Sequence, residues 1–426
     1  MNALTEHNTS LRELFASQNK SGIKNAVNLD SIDLVLREVL SINEMREAGS
    51  FFTGQKLASK VLSAFQSPVT YNSVVLDPTC GAGNLLIETS RKIGVKATLS
   101  KTLKAWGKVL WGFDCHTHFI EATKLRLVIE ALSRGVIQDC ELQEACDFFI
   151  NIRVQDAFEI DQSDLKQVTH IVMNPPFTIM PSPKKHYWKA GKVNAAGVFF
   201  DSYLRLLPSG CHISAVLPEV LRSGSRYQSF RSFVSGYIQG EVEVWGRFNR
   251  KTDVDVFLLS GCLIQKSQSS LKWQNSYDIT ETISDFFDVR TGPLVAYRDA
   301  EKGPEYPYFY PKNCKAWGVI NCAFEKRRFS GKALNPPFVV IKRTSSPTDK
   351  NRASATLINL SEPVVVENHM LVVTPKDGKV KTCKKLIKIL MHKKTNDFLN
   401  ERIRLRHLTV GIIKEIPFVE DDNNGT

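Results

Sequence analysis

The stretch Ser73-Val-Val-Leu-Asp-Pro-Thr-Cys-Gly-Ala-Gly-Asn84 decides how this chain is read. Residues 73–76 form an apolar run bounded by turn residues, which fits a short buried strand. The chain then passes Asp77 and Pro78 and turns through Gly81 and Gly83. From residue 84 to 93 the apolar residues recur at helical spacing, with Gly94 as the expected C-cap. The glycines let the backbone turn sharply and come close to a ligand. Moving downstream, strands are expected at 109–113, 150–154, 170–173 and 212–217. Helices are expected at 117–134, ended by Gly135, and at 198–207, ended by Pro208 and Gly210. Two further strands, 241–245 and 256–264, follow each other with no long helix between them. Strands alternating with helices predict βαβ units: an α/β, Rossmann-like fold with a mostly parallel, doubly wound sheet and a C-terminal antiparallel strand pair. Such sheets bind ligands beyond the C-terminal ends of their strands, so the residues just after each strand carry the information.

Residues 1–28 are polar and read as loosely ordered. Leu29, Ile32, Val35, Leu36, Val39 and Leu40 predict a helix over 29–46, with Asp30 or Ser31 as its cap. A second helix is expected over 55–65, with Leu57, Val61, Leu62 and Phe65 on one side. The Ser/Gln-rich stretch 265–276 reads as a linker. Beyond it the pattern changes to short strands, prolines and basic loops, with one late helix over 382–398. The expected organisation is a helical extension (1–45), the α/β domain (46–265) and a smaller mixed α/β domain (277–426).

The 426 residues are 42% hydrophobic and carry a net charge of +12. The charge is uneven. Residues 301–426 hold 23 Lys and Arg against 13 Asp and Glu, whereas residues 1–300 hold 33 against 31. A basic region on a nearly neutral body suits a polyanionic partner, or else a solvated basic surface. The nine cysteines include no C-x-x-C pair, and the spacings Cys140/Cys146 and Cys314/Cys322 do not suit zinc. They read as reduced thiols in a cytoplasmic protein. The N-terminus has no apolar signal region, and no run of 18 apolar residues predicts a membrane span.

Asp77 places a carboxylate at the first strand end, suited to a cationic ligand group. Leu86 stands where a dinucleotide fingerprint would have its third glycine, which disfavours a nicotinamide oxidoreductase. Asp114 after the second strand either holds ribose hydroxyls or caps the next helix, and Asp156 after the third invites the same two readings. After the fourth strand comes Asn174-Pro-Pro-Phe177. Pro175 and Pro176 fix the backbone and remove two N–H donors, leaving acceptors. The Asn174 side-chain carbonyl and the Pro175 carbonyl can together accept both hydrogens of an amino group. That frees the nitrogen lone pair to attack a methyl sulfonium. Phe177 offers a flat face to a base, and stacking worth about 1–3 kcal/mol offsets much of the cost of flipping that base from a duplex. The bland reading is a rigid turn. The same four residues recur as Asn335-Pro-Pro-Phe338, but after no buried strand, and there they read as a turn leading into one.

In order, Phe51-Phe-Thr-Gly54, the 77–83 loop, Asp114, Asp156 and Asn174-Pro-Pro-Phe177 resemble the adenine-N6 DNA methyltransferases, including type I modification subunits and many type II restriction-modification enzymes. The resemblance covers about residues 46–265. It departs at Gly54, where proline is common. It implies a class I methyltransferase fold using S-adenosyl-L-methionine. Thr53 would meet the methionine part of the cofactor. Asp77, Pro78, Cys80, Gly81 and Gly83 would form its main cradle, Asp114 would take the ribose and Asp156 the adenine amine. Asn174, Pro175, Pro176 and Phe177 would hold the target base, with Phe248 as a further aromatic beside it. The implied partners are double-stranded DNA and a cognate restriction endonuclease or specificity subunit. Metal ligands are not expected, and His116 and His118 read as residues of a helix start.

In the second domain, Lys342, Arg343, Lys350, Arg352, Arg404 and Arg406 are candidate DNA contacts, suited to phosphate. The loop holding Lys184, Lys185, Tyr187, Trp188, Lys189 and Lys192 mixes bases and aromatics, and is expected to close over DNA near the flipped base. A protein-glutamine N5-methyltransferase shares the Asn-Pro-Pro-aromatic chemistry, but usually with tyrosine fourth and without a basic C-terminal domain. Cytosine-N4 enzymes usually begin the motif with serine. RNA adenine, and a non-catalytic DNA-binding subunit, complete the alternatives.

Overall fold

A computed structural model describes residues 2–31, 53–248, 254–264, 271–274, 280–323 and 325–419. The chain forms two compact units, Met1–Trp273 and Gln274–Thr426. The division falls within the Ser/Gln-rich stretch.

The first unit is built on one seven-stranded sheet. Its strands are β1 (Val75–Asp77), β2 (Leu110–Asp114), β3 (Ile152–Val154), β4 (His170–Met173), β7 (His212–Pro218), β8 (Ile238–Arg247) and β9 (Asp255–Leu263), in the order β3-β2-β1-β4-β7-β9-β8. The first five in that order run parallel, and β9 and β8 are antiparallel to their neighbours. This is the doubly wound sheet with a C-terminal antiparallel pair. Side-chain alternation explains why both faces are covered. Val172, Val216 and Leu258 pack into one core, while Ile171, Met173, Ala215, Leu217, Phe257 and Leu259 pack into the other. The sheet order reverses between β1 and β4, which opens a crevice at their C-terminal ends.

Several elements depart from expectation. Residues 1–28 are not loose: α1 (Asn2–Ser17) and α2 (Lys20–Ala26) bury Leu4, Leu11, Phe15 and Ile23. Their stripe includes Asn8, whose amide donates to the His118 carbonyl (3.1 Å) and to Glu121 (2.9 Å), so a polar sequence hid an anchored helix. The helix expected over 29–46 lies, beyond residue 31, outside the described residues. Asp30 accepts the Gln55 amide (3.1 Å) at the start of α3 (Gln55–Ser63). Helix α4 (Asn84–Ser90) ends on Arg91, not Gly94, whose carbonyl instead takes the Trp106 indole N–H. The reading missed α5 (Leu99–Val109) before α6 (Thr117–Ser133). It also missed α7 (Leu142–Asp147), and α9 (Glu219–Ser223) and α10 (Gln228–Tyr237) after α8 (Ala195–Leu206).

The second unit holds a five-stranded, largely antiparallel sheet in the order Phe287–Thr291, Met370–Pro375, Phe338–Lys342, Ala355–Ile358, Val319–Ile320. The Asn335-Pro-Pro-Phe338 turn does lead into one of these strands. The single helix expected over 382–398 is two, Val380–Met391 and Lys393–Arg402. They are broken at His392, whose ring accepts the Lys394 amide (3.2 Å). Among the described residues no helix is long and apolar enough to cross a membrane, and the nine cysteines are free thiols.

Candidate functional site

The crevice at the β1/β4 switch is a cavity of about 320 Å³. It draws on residues from four strand ends. Asp77 closes β1 and is 2% exposed, and its side chain accepts the Thr79 amide at 3.2 Å. Burial pushes this carboxyl up to about 7; the nearby Asp114 charge adds to the shift and the Thr79 amide opposes it. Pro78, Cys80 and Gly81 continue the wall. The Cys80 amide donates to the Phe113 carbonyl (2.9 Å) and Thr123 Oγ1 donates to the Gly81 carbonyl (2.7 Å), so the loop is tied to β2 and α6. Burial holds the Cys80 thiol protonated, well above its usual range.

Gly83 does not line the cavity. It sits at φ +80° as the N-cap of α4, and a Cβ there would fall 2.7 Å from Thr123 Cγ2. The second glycine is therefore required both by its backbone angle and by the approach of α6.

Asp114 lines the cavity from β2. One oxygen accepts the Gly81 amide (3.1 Å) and the other the His116 amide (2.8 Å). Both readings of Asp114 thus meet in one residue: it shapes the loop around α6 and still faces the cavity, since each carboxylate oxygen accepts more than one bond. The sequence suggested no metal-ligand cluster, yet Asp114, Cys115 and His116 bring oxygen, sulfur and nitrogen atoms within 4.8 Å of one another. Asp156, from the loop after β3, is exposed at the rim and accepts the Phe158 amide (2.8 Å).

From β4 come Asn174 and Pro176, both in the cavity wall; Pro175 is buried and outside it. Thr53 also lines it, and Asn174 Nδ2 donates to Thr53 Oγ1 at 2.9 Å. Phe177 is not among the residues that line the cavity; it packs edge-on against Phe248, with ring centroids 5.7 Å apart. The two aromatics expected beside a base are thus neighbours, although 71 positions apart in sequence. Asn194, the N-cap of α8, donates to the Phe177 carbonyl (3.1 Å) and so braces the turn.

The structure adds wall residues that the sequence did not single out. Phe158 and Phe199 stack at 4.3 Å, and with Phe119 they give the cavity an apolar side. Phe158 was within reach, two residues after Asp156; Phe199 and Phe119 lie inside helices, where only tertiary packing decides which way they face.

The loop after the motif is a hairpin of β5 (Ile179–Pro181) and β6 (Lys192–Asn194). Its aromatics are tied to α8. Tyr187 Oη and Trp188 Nε1 donate to the two oxygens of Asp201 (2.8 and 3.0 Å), and Trp188 is 6% exposed. The polar ends of these rings found a buried carboxylate, which corrects the expectation of a mixed lid. Lys184, Lys185 and Lys189 remain exposed.

In the second unit, the Leu408 amide donates to the Arg343 carbonyl (2.9 Å) and the Ser345 amide to the Arg406 carbonyl (2.8 Å). Residues 342–345 and 404–408 therefore run side by side, gathering Lys342, Arg343, Arg404 and Arg406. Arg352 does not join them: it is fully buried, and its guanidinium serves the carbonyls of Ile403 and Leu405.

No curated protein matches the sequence. Among solved structures, the chain is similar to the type IIL restriction-modification enzyme MmeI in complex with DNA, at 11% identity over 89% of this chain and 70% of that one, with a TM-score of 0.54. Weaker likenesses are to the type IIG restriction endonuclease BpuSI (14% identity, 87% and 58% covered, TM-score 0.43) and to the M protein of the type I restriction enzyme EcoKI (14%, 52% and 46%, TM-score 0.37). The chain spans 58% of the length of BpuSI and 46% of that of the EcoKI M protein. At these identities the likeness is one of fold. Residues 35–198, which contain both the 77–83 loop and the Asn174 turn, match the family described as N-6 DNA Methylase.

Proposed function

We propose that this chain transfers a methyl group from S-adenosyl-L-methionine to the N6 amine of an adenine flipped out of double-stranded DNA, at a specific site. The observation that carries the reading is that one cavity holds both the carboxylates of the strand ends and Asn174.

The residues present fit the cofactor. Asp77 is a buried carboxylate with no cationic partner among the described residues, and a ligand ammonium would stabilise its charged form. Asp114 and Asp156 offer acceptors to hydroxyl and amine donors. The Phe158–Phe199 stack and Phe119 offer an apolar face to a purine. When bound, the cofactor supplies an electrophilic methyl on a sulfonium centre and leaves as a neutral thioether.

Asn174 Oδ1 and the Pro175 carbonyl accept the two hydrogens of the target amine, so its lone pair points out of the ring's conjugation and toward the methyl carbon. Bond formation between that nitrogen and the methyl carbon would accompany loss of the C–S bond, and the proton then lost from the nitrogen would pass to solvent water. Phe177, backed by Phe248, stacks on the extruded base. The exposed lysines of the 179–194 hairpin and the Lys342, Arg343, Arg404 and Arg406 group meet phosphates. By this reading 46–265 is the catalytic domain and 277–426 recognises the DNA target. The protein works in the cytoplasm, within a restriction-modification system that supplies an endonuclease or specificity subunit.

The test is transfer of labelled methyl to unmethylated duplex DNA, followed by nucleoside analysis. The proposal expects N6-methyladenine from the wild type and none from Asn174→Ala with cofactor binding retained. Label in cytosine, in RNA alone or in protein would refute the substrate assignment, and an unimpaired Asn174→Ala would refute the site.

A further inference from the structure

A carboxamide has two unlike arms: an oxygen that accepts and a nitrogen that donates. Under the reaction proposed above, Asn174 works in one orientation only. Its Oδ1 must face the target amine, because a reversed amide would set N–H against N–H. Something must choose between two orientations of nearly equal shape.

The structure contains such a device. Asn174 Nδ2 donates to Thr53 Oγ1 at 2.9 Å, which places Nδ2 on the Thr53 side and Oδ1 opposite. Thr53 is 2% exposed and is itself held from behind. Its carbonyl accepts Asn84 Nδ2 at 2.8 Å, and the same amide nitrogen reaches the Leu29 carbonyl at 2.9 Å. Asn84 Oδ1 in turn accepts Arg126 Nη1 at 2.7 Å, and that nitrogen also serves the Ala82 carbonyl at 2.5 Å. Arg126 is fully buried, and its Nη2 meets no partner among the described residues. Burying a guanidinium against neutral acceptors is costly, and an apolar residue would pack there at less expense in stability. Its Nη1 bonds go to the loop and helix start that carry Ala82 and Asn84, and through Asn84 to Thr53, while its Nε makes a longer bond to the Ala26 carbonyl (3.4 Å).

We propose that Arg126, Asn84 and Thr53 form a positioning relay that holds the Asn174 amide with Oδ1 toward the target amine. The proposal rests on the role given to Asn174 above. It assigns Thr53 a duty beyond contact with the cofactor, and it makes the fully buried Arg126, inside α6, part of the reaction's geometry.

The test compares Thr53→Val, which removes the acceptor at similar volume, with Thr53→Ser, which keeps it. Thr53→Ala is a second acceptor-free variant should valine prevent folding. Single-turnover methyl transfer is measured at saturating S-adenosylmethionine and DNA, and both dissociation constants separately. Losing one hydrogen bond predicts a rate roughly five- to tenfold lower in Thr53→Val once cofactor and DNA are saturating, whatever that variant does to cofactor affinity, with serine restoring most of the rate. An unchanged rate, or a loss confined to cofactor affinity, overturns the relay. A second readout needs no activity. In protein labelled with ¹⁵N-asparagine, the Asn174 side-chain amide is identified by its disappearance in Asn174→Ala. Its protons should exchange slowly in wild type and Thr53→Ser and quickly in the acceptor-free variants. If the wild type transfers no methyl to DNA, the functional reading fails, and this signal alone decides the relay: equal protection in Thr53→Val refutes it.

Discussion

Asp77 gives the sharpest quantitative prediction. Its carboxyl is buried at the end of β1, and burial, helped by Asp114, raises it from 3.8 to about 7. If the cofactor's ammonium binds the ionised form, affinity is reduced at each pH by the protonated fraction. With a free-protein value near 7, cofactor binding should tighten about 15-fold between pH 5.5 and 7.0, a window in which the ligand's α-amino group stays mostly protonated. The same shift has the opposite sign for folding. A carboxyl raised in the folded state leaves the native protein holding more protons than the unfolded chain. Stability without ligand therefore falls as pH rises from about 4 to 7, by roughly 4 kcal/mol at the order-of-magnitude level. Asp77→Asn removes both effects. The assay is calorimetric titration of S-adenosylmethionine across this window in buffers of different ionisation heat, with thermal unfolding of the free proteins alongside. Binding that is flat with pH, or an Asn variant with the same pH profile as wild type, would show that Asp77 does not meet the cation.

Three further outcomes follow from the geometry. Gly83→Ala puts a side chain at φ +80° and 2.7 Å from Thr123, whose hydroxyl holds Gly81; it should cost about 1–2 kcal/mol from the backbone angle alone, lower the melting temperature and weaken cofactor more than DNA. Phe248→Ala removes the ring edge-on to Phe177 and should weaken DNA binding by about 0.5–1.5 kcal/mol, with a matching loss of 2-aminopurine fluorescence gain at the target position. Lys184, Lys185 and Lys189 are exposed and form no ion pair among the described residues, so replacing all three with alanine should flatten the slope of log affinity against log salt by roughly 2.7 if each meets a phosphate. Filter binding or anisotropy over a salt series checks it, and an unchanged slope removes the hairpin from the interface.

What could be read in advance follows a physical division. Asp77, Asp114 and Asn174 were legible because each ends a short apolar strand, and parallel sheets gather strand ends into one crevice. Phe199, Asn84 and Arg126 were not, because a helical residue faces the cavity only once its helix has been packed. Arg126 looks like any surface arginine until α6 is placed with that position fully buried. Trp188 shows the converse error. Lysines around it suggested a nucleic-acid face, but an indole N–H that finds Asp201 can be buried, and the ring went inside. The break at His392 was hidden for another reason: histidine is outside the usual capping set, yet its ring accepts the Lys394 amide as a serine would.

The two Asn-Pro-Pro-Phe turns carry the argument furthest. Four identical residues occupy opposite ends of their strands. Asn174 leaves β4 beside the sheet's switch point, whereas Phe338 begins its strand in the second unit. Among the described residues, only the first has a buried hydroxyl oxygen receiving its amide, backed by a second amide and a buried arginine. The tetrapeptide supplies acceptors in both places. What separates a candidate catalytic turn from a plain one is the support behind the asparagine, and that support is drawn from residues 53, 84 and 126, none of them in the motif. Transplanting the tetrapeptide onto another strand end should therefore yield a turn without activity, whereas disturbing Thr53 should slow the native copy with its four residues intact.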